Sequence, residues 1–241
     1  ISSQIGCSLS CSFCATGQLK LYRNLSVGEI YDQVFLLNQY CLDHFKKKIT
    51  NIVFMGMGEP LLNINNVLKS INHITDPLAL AMSPKRITVS TSGISKIIKK
   101  LANLETKFNL AISLHSAINK KRSQIMEINK TNNLNDLLAS LKYFYNKTGI
   151  RPTYEYVLLK DFNDSLEDVK ELVKFCNKNP SKVNLIEYNK VDGIQHEKST
   201  EKSTAMFVEI LEKHNIVVKL RKSRGEDISA ACGQLATEYN G

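Results

Sequence analysis

The chain has 241 residues, 43% hydrophobic and 23% charged, the balance of an ordinary globular protein of one large domain or two small ones. Its longest apolar runs, at 51–57 and 78–82, are too short to span a membrane, and no signal-peptide pattern is present. The expectation is a cytoplasmic protein whose six cysteines are thiols or ligands, not a secreted disulfide framework.

Apolar β-branched runs predict strands at 1–5, 50–55, 86–91, 108–114, 153–159, 183–188 and 217–220, with helical patterns between them. Ser26 and Glu29 form a capping box before a stripe of Val27, Ile30, Val34, Leu37 and Cys41. A further stripe runs through Leu134, Leu137, Leu138, Leu141, Phe144 and Tyr145. Ser165 and Asp168 open a third helix bearing Val169, Leu172, Val173 and Cys176. Strand–helix alternation of this length predicts an α/β fold with a mainly parallel sheet and outer helices, open or curled into a partial barrel. No linker or repeat divides it, so 1–241 reads as one domain, with 193–202 as its expected mobile loop.

Ligands in parallel α/β folds lie at the carboxyl ends of the strands. The segments there are 6–14, 56–60, 90–93, 113–116, 161–164 and 189–193, and the unusual motifs fall among them. In the first, Cys7, Cys11 and Cys14 form a C-x₃-C-x₂-C run, one thiolate short of a closed tetrahedral site. Three thiolates on a [4Fe–4S] cube leave one iron open to a small molecule; a disulfide or an incomplete zinc site are the plainer readings. In the second, Gly56-Met-Gly58-Glu59-Pro60 combines close backbone approach with a carboxylate suited to an ammonium group. Cys41 and Cys176 fit apolar helix faces and read as core.

The net charge is +9, with basic runs at 46–48, 96–100, 120–122 and 219–224. Such an excess suits a nucleic-acid partner through phosphate contacts, or merely a solubilising surface. The 7% aromatic content, with no Trp, gives no sign of a base-stacking stripe.

The cysteine run followed by the Gly-Glu turn resembles the radical S-adenosylmethionine (SAM) superfamily. Cys11-Ser-Phe-Cys14-Ala-Thr-Gly17, Arg23-Asn-Leu25, Gly56-Met-Gly-Glu-Pro-Leu61, Ser90-Thr-Ser-Gly93, Ser113-Leu-His115 and Ala230-Ala-Cys232-Gly-Gln-Leu235 are similar, in order, to the RlmN/Cfr family of RNA methyltransferases. Pro60 and the 221–225 run look more like the RlmN branch. The resemblance implies a partial (β/α)6 TIM-like barrel of the radical SAM type, with a [4Fe–4S] cluster on Cys7, Cys11 and Cys14 and SAM on the open iron. Gly58, Glu59, Ser90, Ser113, Leu114, His115 and Asn189 would bind SAM, although a lone histidine such as His115 is as often structural. Cys232 would carry a methyl group taken from one SAM. A radical made from a second SAM would strip a hydrogen from that methyl, and the carbon radical would add to C2 of adenine, which is too electron-poor to attack SAM itself. Lys222 and Arg224 would lower the pKa of Cys232 or grip phosphate.

The implied substrates are an adenosine of 23S rRNA and one in tRNA, with a flavodoxin-like electron donor and a monomeric enzyme. The chain starts at Ile1. The family's second cysteine, its general base and its amino-terminal RNA-binding domain would lie upstream, and Cys41 is no substitute. The expectation is a catalytic core that binds cluster and SAM without completing turnover alone. Rival readings are C8 methylation of the same adenosine, another radical SAM enzyme such as an activase, and a zinc-stabilised RNA-binding module.

Overall fold

The computed structural model describes residues 1–222 and 231–235. Six parallel strands form one sheet in chain order: β3 (Ile52–Phe54), β4 (Ile87–Thr91), β5 (Asn109–Ser113), β6 (Thr153–Leu158), β7 (Lys182–Glu187) and β8 (Val217–Arg221). Parallel neighbours need crossovers, and helices supply them: α3 (Ile64–Thr75), α4 (Ser95–Asn103), α5 (Asn119–Ile125) with α6 (Leu134–Thr148), α7 (Leu166–Cys176) and α8 (Glu201–Lys213). Ahead of this sheet come β1 (Gln4–Ile5), α1 (Ala15–Gln18), β2 (Arg23–Asn24) and α2 (Val27–Phe45).

Strand alternation sorts the side chains. On β6, Tyr154 and Tyr156 pack against Phe175 of α7 and Phe207 of α8, with ring centroids 5.3 and 5.6 Å apart. Glu155 and Val157 point the other way, into the concave face. Edge strands β3 and β8 share no ladder, but Arg221 Nη1 donates to Met55 Sδ at 3.0 Å, bringing their carboxyl ends together. The result is a curled six-stranded partial barrel with helices outside, as expected.

Four local expectations need correction. The run 1–5 is not a strand of the main sheet: Gln4–Ile5 pairs antiparallel with Arg23–Asn24, and Ile1 and Ser3 meet the β3 exit through irregular backbone bonds to Val53, Gly56 and Met57. On α2 the buried stripe is Ile30, Val34 and Asn38, the last accepting the Ile49 N–H, while Leu37 is exposed and Cys41 half-buried. The segment 193–202 is tied down: Leu159 bridges Lys198, Lys160 N–H donates to the Glu197 carbonyl, and α8 already begins at Glu201. The basic run 120–122 is largely structural, since Lys121 pairs with buried Asp168 at 2.7 Å and Arg122 is wholly buried.

Candidate active site

The cysteine loop rests on the end of α5. Ser12 N–H donates to the Ile125 carbonyl at 3.0 Å, and Cys11 forms an isolated antiparallel bridge with Met126. Cys14 N–H turns back to the Cys11 carbonyl at 3.2 Å, and Leu9 N–H donates to Cys7 Sγ at 3.4 Å. A Cβ on Gly17 would meet the Cys11 carbonyl oxygen at 2.7 Å, so only glycine lets α1 lie this close. Burial raises the thiol pKa values of Cys7 and Cys11. The charges of the neighbouring cysteines and Glu59 add to the rise, and at Cys11 the Arg122 guanidinium opposes it. All three sulfurs are free thiols lining one cavity. Among the described residues no three His, Cys, Asp or Glu side chains converge on a single-ion site.

The Gly-Glu turn leaves β3 toward the same cavity. Gly58 has φ +91°, and a Cβ there would lie 2.5 Å from Gln4 Cβ. Gln4 Oε1 in turn accepts the Glu59 N–H at 2.8 Å. The Glu59 carboxylate is buried; Oε1 accepts the Leu61 N–H at 3.0 Å and Oε2 the Ser92 N–H at 2.7 Å. Burial raises its pKa, and hydrogen bonds from the Ser92 and Leu61 backbones and the Thr91 and Ser92 side chains work against the rise.

Ser90, Ser113, His115 and Asn189 line the cavity, whereas the Leu114 side chain lies in the hydrophobic core. Leu114 contributes only backbone near the site: its N–H donates to the Glu155 carbonyl and its own carbonyl accepts Arg122 Nε. His115 sits at φ +53°, and its Nδ1 accepts the Val157 N–H at 3.0 Å. Burial, helped by the Arg122 charge, pushes its pKa down to about 3, so the ring is neutral with its proton on Nε2.

Cys232 comes to this cavity from the far end of the chain. Ala15 N–H, directly after Cys14, donates to the Gly233 carbonyl at 2.7 Å, and Asn189 Nδ2 donates to the Cys232 carbonyl at 3.0 Å. Gln234 Nε2 bonds the Lys190 carbonyl, and Thr16 the Leu235 carbonyl. Cys232 is exposed along the cavity, yet the protein crowded around its thiol raises the pKa; Arg221 works against this, while Cys14 and Glu155 add to it. Among the described residues, the cation that favours the thiolate is Arg221. Lys222 lines an adjoining cleft with Cys232, and Ser223, Arg224, Gly225 and Ala230 lie outside the described residues.

Sequence reasoning missed Glu155 and Tyr188, both of which line the cavity. Glu155 Oε2 is buried with no hydrogen-bond partner, the Arg221 guanidinium standing 3.9 Å away. An orphaned carboxylate oxygen on the cavity wall fits a polar ligand. The available signal was Glu155 itself, a carboxylate in the middle of an otherwise apolar strand. Arg122 was hidden inside a basic run that read as surface.

The Radical SAM superfamily signature matches residues 1–176. A probable dual-specificity RNA methyltransferase RlmN of Christiangramia forsetii is 54% identical over 238 residues, covering 99% of this chain and 68% of the relative. The chain belongs to the RlmN family of radical SAM enzymes. A dual-specificity RNA methyltransferase RlmN of Buchnera aphidicola is 47% identical, covering 98% of this chain and 66% of that protein. The crystal structure of a radical SAM methyltransferase from Sphaerobacter thermophilus superposes with a TM-score of 0.95 at 36% identity, covering 97% of this chain and 68% of that one. SuiB of Streptococcus suis, bound to SAM, shares the fold alone, with a TM-score of 0.66 at 17% identity. The cofactors of this RlmN-family chain are SAM and a [4Fe–4S] cluster, and its class of reaction is RNA methylation. No helix among the described residues is long and apolar enough to cross a membrane.

Proposed function

We propose that this chain is the catalytic core, residues 1–241, of a cytoplasmic enzyme that methylates C2 of an adenosine in 23S rRNA, and an adenosine in tRNA, through a methylated Cys232. The observation that carries the reading is the Ala15–Gly233 hydrogen bond, which holds the Cys232 turn against the end of the cysteine loop. Cys7, Cys11 and Cys14 hold the cluster; Gly58, Glu59, Ser90, Ser113, His115 and Asn189 hold SAM, with Leu114 contributing backbone alone. When bound, the cluster supplies the electron that cleaves SAM to a carbon radical.

The chain's own residues do the rest. Arg221 favours the Cys232 thiolate, which attacks the SAM methyl: an S–C bond forms on Cys232 as the sulfonium S–CH₃ bond breaks. Asn189 fixes the Cys232 backbone, so the methyl group stays aimed into the cavity. Neutral His115 offers an Nε2–H donor without adding a cation beside the sulfonium. Stripped of one hydrogen by the radical from a second SAM, the Cys232 methyl would become a nucleophilic carbon radical and form a C–C bond to electron-poor C2. Release of the methylated base would then need loss of the C2 proton to a base and cleavage of the S–CH₂ bond by a second thiol, a disulfide forming as one electron returns to the cluster. Alignment of the reacting carbons is the protein's main contribution.

The test is mass spectrometry of nucleosides from RNA treated with the chain, SAM and a low-potential reductant, including RNA still attached to Cys232. An adenosine joined at C2 through a CH₂ bridge to Cys232 supports the reading, the same link at C8 assigns the Cfr-type reaction, and methylation that persists in Cys232→Ala contradicts the carrier role.

A further inference from the structure

Arg122 is a wholly buried cation with no anionic partner of its own. Its Nε donates to the Leu114 carbonyl at 3.1 Å and Nη1 to Asn129 Oδ1 at 2.7 Å; Nη2 donates to the carbonyls of Ser92 at 2.6 Å and Ser113 at 3.2 Å. All four acceptors are neutral, and none of the ion pairs among the described residues includes Arg122. Burial pushes its pKa down to about 10, so it remains charged at neutral pH. A guanidinium in this position is a poor structural choice, because neutral carbonyls satisfy its N–H groups without offsetting its desolvation.

Two anions lie near enough to matter. Glu59 accepts the N–H of Ser92 while Arg122 holds the Ser92 carbonyl, so the two charges flank one residue. The second is the cysteine loop. Ile125 and Met126, which bond Ser12 and Cys11, stand one helical turn beyond Arg122. Three thiolates on an iron–sulfur cube carry net negative charge, and reduction adds one more. A cluster held by these cysteines would develop that charge over the turn that Arg122 begins, where burial weakens solvent screening.

We propose that Arg122 is the buried counter-charge of the cluster site, a positioning residue whose guanidinium favours the reduced cluster. The inference rests on the assignment of Cys7, Cys11 and Cys14 as cluster ligands. It explains why a full positive charge occupies a place where a neutral donor could bond the same carbonyls.

The test is a redox titration of the anaerobically reconstituted chain against dithionite, with the reduced cluster read by electron paramagnetic resonance. At a fixed solution potential, Arg122→Gln should lower the reduced-to-oxidised ratio about tenfold, equivalent to about 59 mV for a one-electron couple. Arg122→Lys, which keeps the charge but not the fork of donors, should stay near wild type. A Gln variant with full iron content and the wild-type potential overturns the proposal, as does an equal shift in both variants. If the Gln variant fails to fold, Asn129→Asp serves instead: its carboxylate pairs the guanidinium in place and should lower the potential, and an unchanged potential overturns the proposal. A wild-type chain that assembles no cluster removes the ligand assignment itself and the inference with it.

Discussion

Ala15 donates its backbone N–H to the carbonyl of Gly233 at 2.7 Å, joining the residue after Cys14 to the residue after Cys232. The two ends of the chain thus build one site. A change that loosens the amino-terminal loop is therefore expected to move the carboxy-terminal sulfur as well.

The loop cysteines should be individually indispensable. Cys7→Ser, Cys11→Ser or Cys14→Ser is expected to abolish stoichiometric iron and sulfide uptake and the brown visible absorbance. Cys41→Ser, altering a half-buried helical thiol, should retain both. Iron and sulfide assays after anaerobic reconstitution check this, and a fully loaded Cys11→Ser protein would contradict it.

Thiol reactivity should rise with pH without levelling off near neutrality. Burial raises the pKa of Cys7, Cys11 and Cys232, so each pH unit below those values cuts the thiolate population about tenfold. In the metal-free chain, iodoacetamide modification of these residues should still be accelerating at pH 9. Loading the cluster should release protons and proceed better at higher pH. Arg221→Met removes the cation that opposes the rise at Cys232 and should slow alkylation there further. Peptide mass spectrometry resolves each site, and a rate at Cys232 unchanged by Arg221→Met would show that the guanidinium does not act on this thiol.

Glu155 should matter for binding more than for stability. Asn184 Nδ2 holds its Oε1 at 2.8 Å, and Arg221 stands 3.9 Å from the unbonded Oε2. Glu155→Gln removes a buried charge whose carboxyl burial already disfavours, so the melting temperature should hold or rise. SAM affinity should fall about tenfold, as for loss of a charged hydrogen bond of about 1.5 kcal/mol. Calorimetric titration of the reconstituted chain reads the affinity; equal affinity with a lowered melting point would make Glu155 a structural residue only.

Gly58→Ala should destabilise the turn that presents Glu59. The left-handed φ alone costs about 1–3 kcal/mol in a residue with a Cβ, and contact with Gln4 adds to it. A melting temperature lowered by several degrees is expected, with weaker SAM binding because Gln4 would give up the Glu59 N–H. An unperturbed melt would mean that the turn relaxes freely.

The sheet was largely legible because its strands are β-branched runs separated by capped helices; the Ser26 and Ser165 capping boxes both form. The first run misled because Ile1–Ile5 has strand composition, while its partners are decided by the long-range bonds of Gln4 and Ser3. Leu37 misled because helical spacing alone cannot say that Asn38 spends its amide on Ile49. Motif spacing singled out residues that line the cavity, the Leu114 side chain excepted, whereas Arg122 and Glu155 were not readable. Their meaning comes from burial, which sets a lysine-run arginine beneath the cysteine loop and a strand carboxylate against the cavity.

In the proposed reaction Cys232 takes a methyl group in the cavity that holds the cysteine loop. The most direct measurement incubates the anaerobically reconstituted chain with SAM bearing a trideuterated methyl group and weighs the peptides after digestion. One label is expected, on Cys232, and none on Cys7, Cys11 or Cys14. A label on any other residue, or an unlabelled Cys232 in a chain that demonstrably binds cluster and SAM, would contradict it.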